Sequence, residues 1–173
     1  DRTTAGGRDR PGPPCAAGEI KLLSPEGTDG AFYATVAWAA PSSTTDDIVW
    51  VQTNTGALTP ENPLTLNYTT DAVKIDRTIA VDSDYMFTIN DEVTNSGSQP
   101  VTLYNYGLVS RHGTPPVQGF YILHEGLIGY LGDQGLQEYS YSKIDEDKVK
   151  SFKVINGWLG ITDKYWASAL LPD

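Results

Sequence analysis

The sequence predicts an all-β protein: an antiparallel β-sandwich with little helix. Apolar and β-branched residues alternate with polar ones at period two through most of the chain. Runs of this kind, roughly ten of them, are separated by turn-forming residues, which is the pattern of stacked antiparallel sheets. No stretch has the spacing of an amphipathic helix. A single helical turn near Asp163 to Trp166 is the most that is expected.

Residues 1–18, "DRTTAGGRDRPGPPCAAG", are rich in Gly, Pro and Arg and lack apolar periodicity. They read as a disordered lead or a junction, with the folded domain running over 19–173. A strand is expected at 20–23, and "AFYATVAW" at 31–38 is β-branched and aromatic. Shorter strands are expected at 48–53 and 64–68. In "VKIDRTIAV" (73–81), Val73, Ile75, Ile79 and Val81 share a face with Arg77, while Lys74, Asp76 and Thr78 take the other. In "DYMFTINDEV" (84–93), Tyr85, Phe87, Ile89 and Val93 alternate with Thr88, Asn90 and Glu92. The loop "NSGSQP" (95–100) then leads into "VTLYNYGLVSRH" (101–112), and these two long strands give the strongest hairpin signal in the chain. Further strands are expected at 127–131, 136–142 and 152–155, with turns at "TPP" (114–116) and "GDQG" (132–135).

The totals narrow the function. The chain has 173 residues, a usual size for one domain, and a hydrophobic fraction of 39% with ten Tyr and four Trp to build a core. Its net charge is −10, from 22 acidic and 12 basic residues. Such a surface repels phosphate backbones and anionic headgroups, which argues against nucleic acid as a partner. The densest acidic run, Asp145-Glu146-Asp147, is followed by Lys148 and Lys150 and reads as a solvated loop. The lone Cys15 excludes an internal disulfide. No run approaches the length of a membrane-spanning helix.

Reactive groups are few. His112 ends a strand and reads as a strand-end polar residue. His124-Glu125 pairs a base with an acid, but neighbours on an extended strand point to opposite faces. One cysteine and two histidines are a poor metal set, and "DSD" (82–84) and "DED" (145–147) lack the glycine and final glutamate of a calcium loop. No phosphate loop, dinucleotide fingerprint or Gly-x-Ser-x-Gly turn occurs. No catalytic residue, cofactor or metal is therefore expected. The aromatic residues could stack on sugars, although their period-two placement favours core packing. Trp158 and Trp166 stand apart. They flank "LGITDKY", whose glycine and Asp-Lys pair suggest a bend between two extended pieces.

Three stretches, "LLSPEGTDGAFYATVAW" (22–38), "LHEGLIGYLGDQGLQEYSY" (123–141) and above all "GWLGITDKYWASALLPD" (157–173), resemble the YidC membrane protein insertase family, its alphaproteobacterial members in particular. The resemblance covers Glu19 to Asp173. It implies the C-terminal part of a large periplasmic domain with a β-supersandwich fold akin to galactose mutarotases, attached to a protein of the bacterial inner membrane and without a catalytic role. The implied partners are the Sec translocon with its accessory subunits, and nascent membrane proteins. The last motif would adjoin the membrane-embedded part, which accounts for a chain whose final residues are so aromatic and apolar; rings with an apolar body and a polar edge suit that neighbourhood. Gly157, Trp158, Asp163, Lys164, Tyr165 and Trp166 are thereby candidates for partner or membrane-proximal contact. The alternatives are a carbohydrate-binding or mutarotase-like domain, and a domain that only stabilises its parent protein.

Overall fold

The computed structural model of the chain describes residues 20–24, 30–40, 49–113 and 124–172. The lead at 1–18 with Cys15, and the turn at 114–116, lie outside these. Among the described residues eleven strands and one α-helix occur: β1 (Ile20–Leu23), β2 (Phe32–Ala39), β3 (Val51–Gln52), β4 (Leu64–Thr69), β5 (Val73–Val81), β6 (Phe87–Asn95), β7 (Tyr104–Arg111), β8 (Gly126–Leu131), β9 (Leu136–Ser140), α1 (Tyr141–Asp147), β10 (Gly157–Thr162) and β11 (Ala167–Leu170). They form three sheets, in the orders β1-β2-β7, β11-β10-β8-β9 and β3-β4-β5-β6. The fold is all-β with antiparallel pairing, as the period-two pattern predicts. The chain divides into two compact units, one reaching to Thr35 and resuming at Gly107, the other spanning Val36–Tyr106.

In the first unit two sheets meet across a small apolar core. Phe32 and Ala34 of β2, Val109 of β7 and Ile161 of β10 are buried together, with Leu22, Leu127, Leu170 and Tyr141 packed against them. Phe32 is wholly buried, a contribution of about 1.5–3 kcal/mol by transfer from water. The bend at "GDQG" is a 3-10 turn, Gly132–Gln134, that returns β8 into β9. Gly126, where β8 begins, has φ +144°, and a Cβ there would clash with the Tyr139 carbonyl of β9. Only glycine lets these two backbones pair so closely.

The second unit is the four-stranded sheet β3-β4-β5-β6 with the end of β2. Along β5 the buried side chains are Val73, Ile75, Arg77 and Ile79, the face expected from the alternation. Arg77 lies directly across from Asp91 of β6. Its Nε and one Nη donate to the two oxygens of that carboxylate, both at 2.7 Å, and the other Nη donates to the Val36 carbonyl at 2.6 Å. Trp38 Nε1 donates to Asp91 at 2.7 Å. The guanidinium lies 4.4 Å from the ring centre of Trp50. The charge is thus paired, hydrogen-bonded and stacked, the conditions under which a buried ion persists.

Six expectations need correction. The hairpin of 84–93 with 101–112 does not form: β6 pairs with β5, and β7 joins β2. Tyr85 lies outside the strand with φ 63° and is exposed, because Asp82 accepts the Asp84 and Met86 N–H groups and turns the chain there. The strand expected at 136–142 ends at Ser140, whose hydroxyl caps α1 by accepting from Lys143 N–H; the chain's acidic run therefore lies in a helix. Residues 152–155 form no strand, and of 48–53 only Val51–Gln52 does among the described residues.

Candidate functional site

The two extended pieces expected around the final bend are β10 and β11, paired from Leu159↔Leu170 to Thr162↔Ala167. The Asp163 N–H donates to the Trp166 carbonyl at 2.7 Å and closes the turn between them. On its other side β10 pairs with β8 from Gly157↔Leu131 to Thr162↔Gly126. A side chain at Gly157 would bring a Cβ to 2.5 Å from the Tyr130 carbonyl oxygen, so glycine is needed for the close approach.

The turn is anchored from beneath. The Asp163 carboxylate forms an ion pair with Arg111 at the end of β7, with the two side chains only 3% and 15% exposed. Its second oxygen accepts a hydrogen bond from the Tyr141 hydroxyl of α1 at 3.1 Å. Arg111 in turn lies over the Phe32 ring, 4.7 Å from its centre. Among the described residues its buried Nε has no acceptor, which makes the Asp163 charge the more costly to lose. Next to the turn, Thr162 Oγ1 donates to the His124 carbonyl at 3.1 Å. Three residues distant in sequence, Arg111, His124 and Tyr141, therefore hold one short hairpin turn and the strand end beside it.

What the turn displays is aromatic. Tyr165 is 77% exposed and Trp166 47%. Lys164 Nζ lies 5.1 Å from the Tyr165 ring centre, within cation–π range. Of the six candidate residues, Asp163, Lys164, Tyr165 and Trp166 are brought together here. Gly157 and Trp158 stand at the other end of β10, about 17 Å away at the rise of a strand. Trp158 is half-buried and lies across from Tyr130. The residues that sequence reasoning missed are Arg111 and Tyr141. Their separation from Asp163 along the chain left no local signal, although an arginine closing a strand beside apolar Val109 hints at a buried partner.

The remaining reactive groups are placed as follows. The His124 ring Nε2 lies 2.9 Å from the Leu127 carbonyl. The His112 ring stacks on Tyr33, centroids 4.4 Å apart and planes 20° from parallel. Among the described residues no group of three or more His, Cys, Asp or Glu is arranged to hold a metal ion, and no helix is long and apolar enough to cross a membrane.

Comparison with known proteins agrees with the motif reading. A family model described as the YidC periplasmic domain matches residues 15–173. A membrane protein insertase YidC from Nitrobacter hamburgensis is 60% identical over 164 residues, covering 91% of this chain and 27% of that protein. The same-named protein of Bradyrhizobium diazoefficiens is 54% identical over 160 residues, 89% of this chain and 26% of its own length. That of Beijerinckia indica is 48% identical over 162 residues, 89% and 27%. The chain thus spans about a quarter of the length of these relatives.

Proposed function

Because this chain belongs to the YidC periplasmic-domain family, we propose that it is a non-catalytic accessory domain of an inner-membrane insertase. It supports insertion and folding of membrane proteins by contacting the Sec translocon, its accessory subunits or nascent clients. The observation that carries this reading is the anchored turn. Tyr165 and Trp166 at the hairpin tip leave much of their aromatic surface in water, 77% and 47% exposed, where burial would serve the fold better. The buried Arg111–Asp163 pair and the Tyr141 hydrogen bond nonetheless hold the turn in one geometry. Rigid, exposed aromatic side chains are what interfaces use as anchors, since they bury large areas at low entropy cost. The half-buried Trp158, at the other end of β10 and across from Tyr130, belongs to the packing of its sheet.

The test uses the full-length insertase. Tyr165→Ala with Trp166→Ala should leave the protein abundant in the membrane and reduce co-purification of Sec subunits or clients at least tenfold. Undiminished co-purification would remove the contact site. Deleting the whole domain while following insertion separates partner contact from simple stabilisation of the parent. A mutarotation assay on the isolated chain tests the carbohydrate reading directly, and no activity is expected.

A further inference from the structure

The chain is acidic, yet its lysines are not spread out. Five of its seven lysines fall between residues 143 and 164, and residues 148–156, "KVKSFKVIN", hold three with no acid. Elsewhere Arg77 and Arg111 are buried in ion pairs, and Lys74 is paired with Asp76. The 148–156 segment leaves α1 by a reversal at Lys148, whose φ is 65° and whose N–H donates to the Ile144 carbonyl. It then runs to β10 without strand or helix, and every residue in it is exposed. Large apolar side chains alternate with the lysines. Ile155 is 99% exposed, Val149 74%, Phe152 40% and Val154 37%.

From this we infer that residues 148–155 form a docking surface for an anionic bilayer. The inference goes beyond the accessory-domain reading and stands without it. A lipid interface takes cationic and apolar side chains from one irregular segment together: ammonium groups stay with phosphates while apolar side chains enter the acyl boundary. A protein partner would instead need a matched groove for each apolar side chain. The overall negative charge does not forbid the contact, because salt screens charges beyond about 10 Å. Of the acids in α1, Asp147 is paired with Lys150 at 3.0 Å. Asp145 and Glu146 remain exposed on α1, while Lys143 and Lys150 both lie over the Tyr139 ring, at 5.5 and 5.9 Å, so that the start of α1 and the segment meet at one aromatic ring.

The test is co-sedimentation of the 173-residue chain with vesicles of phosphatidylcholine alone or with one-third phosphatidylglycerol. Binding should require the phosphatidylglycerol and weaken with salt. Lys148→Gln with Lys153→Gln spares the Lys150–Asp147 pair and should lower partitioning about 25-fold, near fivefold per lysine. Ile155→Ser should lower it about tenfold with the lysines intact. Far-UV circular dichroism confirms that these exposed substitutions leave the fold in place. Equal binding to both vesicle types, or partitioning indifferent to the lysine pair, overturns the proposal. So does a lysine-dependent affinity for poly-glutamate with none for phosphatidylglycerol vesicles, which would assign the surface to an acidic protein.

Discussion

Removing Asp91 is the most exacting test of how the second unit is held together. In Asp91→Ala the Arg77 guanidinium loses both hydrogen bonds of its bidentate pair and Trp38 loses its acceptor. The arginine cannot simply rehydrate, since its side chain is 4% exposed and fixed by the Val36 carbonyl and the Trp50 ring. Breaking one side of such a buried pair costs about 3–5 kcal/mol. Removing both charges should cost much less. Arg77→Met with Asp91→Asn nearly keeps the volume, leaves an amide oxygen for Trp38 and no orphan ion, so its stability should lie within about 2 kcal/mol of the wild type. Urea unfolding reads this out, with hydrogen exchange on β5 and β6 locating the change in the second unit. An Asp91→Ala cost under about 1 kcal/mol, the range of an exposed pair, or a double variant as damaged as the single one, would show that the pair does not act as a buried ion pair.

Other outcomes follow from single contacts. Tyr141→Phe deletes one hydrogen bond to Asp163 and should cost about 1 kcal/mol, whereas Asp163→Ala strands a buried arginine and should cost about 3 kcal/mol or more; equal losses in thermal melts would contradict the anchoring hierarchy. Gly126→Ala forces a Cβ against the Tyr139 carbonyl at a φ of +144°. It should separate β9 from β8, seen as fast amide exchange across Leu136–Ser140, while unchanged protection would show that the approach is looser than described. Asp76 has its carboxyl held below the ordinary range, first by the hydrogen bond from Lys74 and then by that from Asn67. A depressed folded value means that its stabilisation is present above the unfolded pKa and lost as pH falls through the folded one. Wild type and Asp76→Asn should therefore differ slightly at neutral pH and converge in acid, and a gap that widens in acid would reverse the sign.

Much of the fold was legible where alternation coincided with burial. In β5 the period-two face, with Arg77 on it, is the buried face, because both neighbouring strands pair along its length. The bend in "LGITDKY" was legible from its turn residues. The misreadings share a cause: local pattern says that a segment is extended, not what it pairs with. β6 and β7 are joined by a good loop, but β7 is taken by β2, far earlier in the chain. "KVKSFKVI" alternates as well as many strands do, yet no partner strand pairs with it among the described residues. Helix α1 has seven residues, too few for a period to show, and only its Ser140 cap signals it. At the candidate site the sequence showed the displayed aromatics but not the Arg111 and Tyr141 beneath them, since contacts between distant segments leave no spacing to read.

On the proposed function, the Tyr165–Trp166 turn is where this domain would meet its partners. A photo-crosslinking amino acid placed at position 165 of the full-length insertase, irradiated in intact membranes, tests it most directly. Crosslinks to a Sec subunit or a nascent chain are expected, weakened by Asp163→Asn, with far fewer from the same probe at exposed Glu92 on β6. Crosslinks from position 165 no more frequent than from position 92 would contradict it.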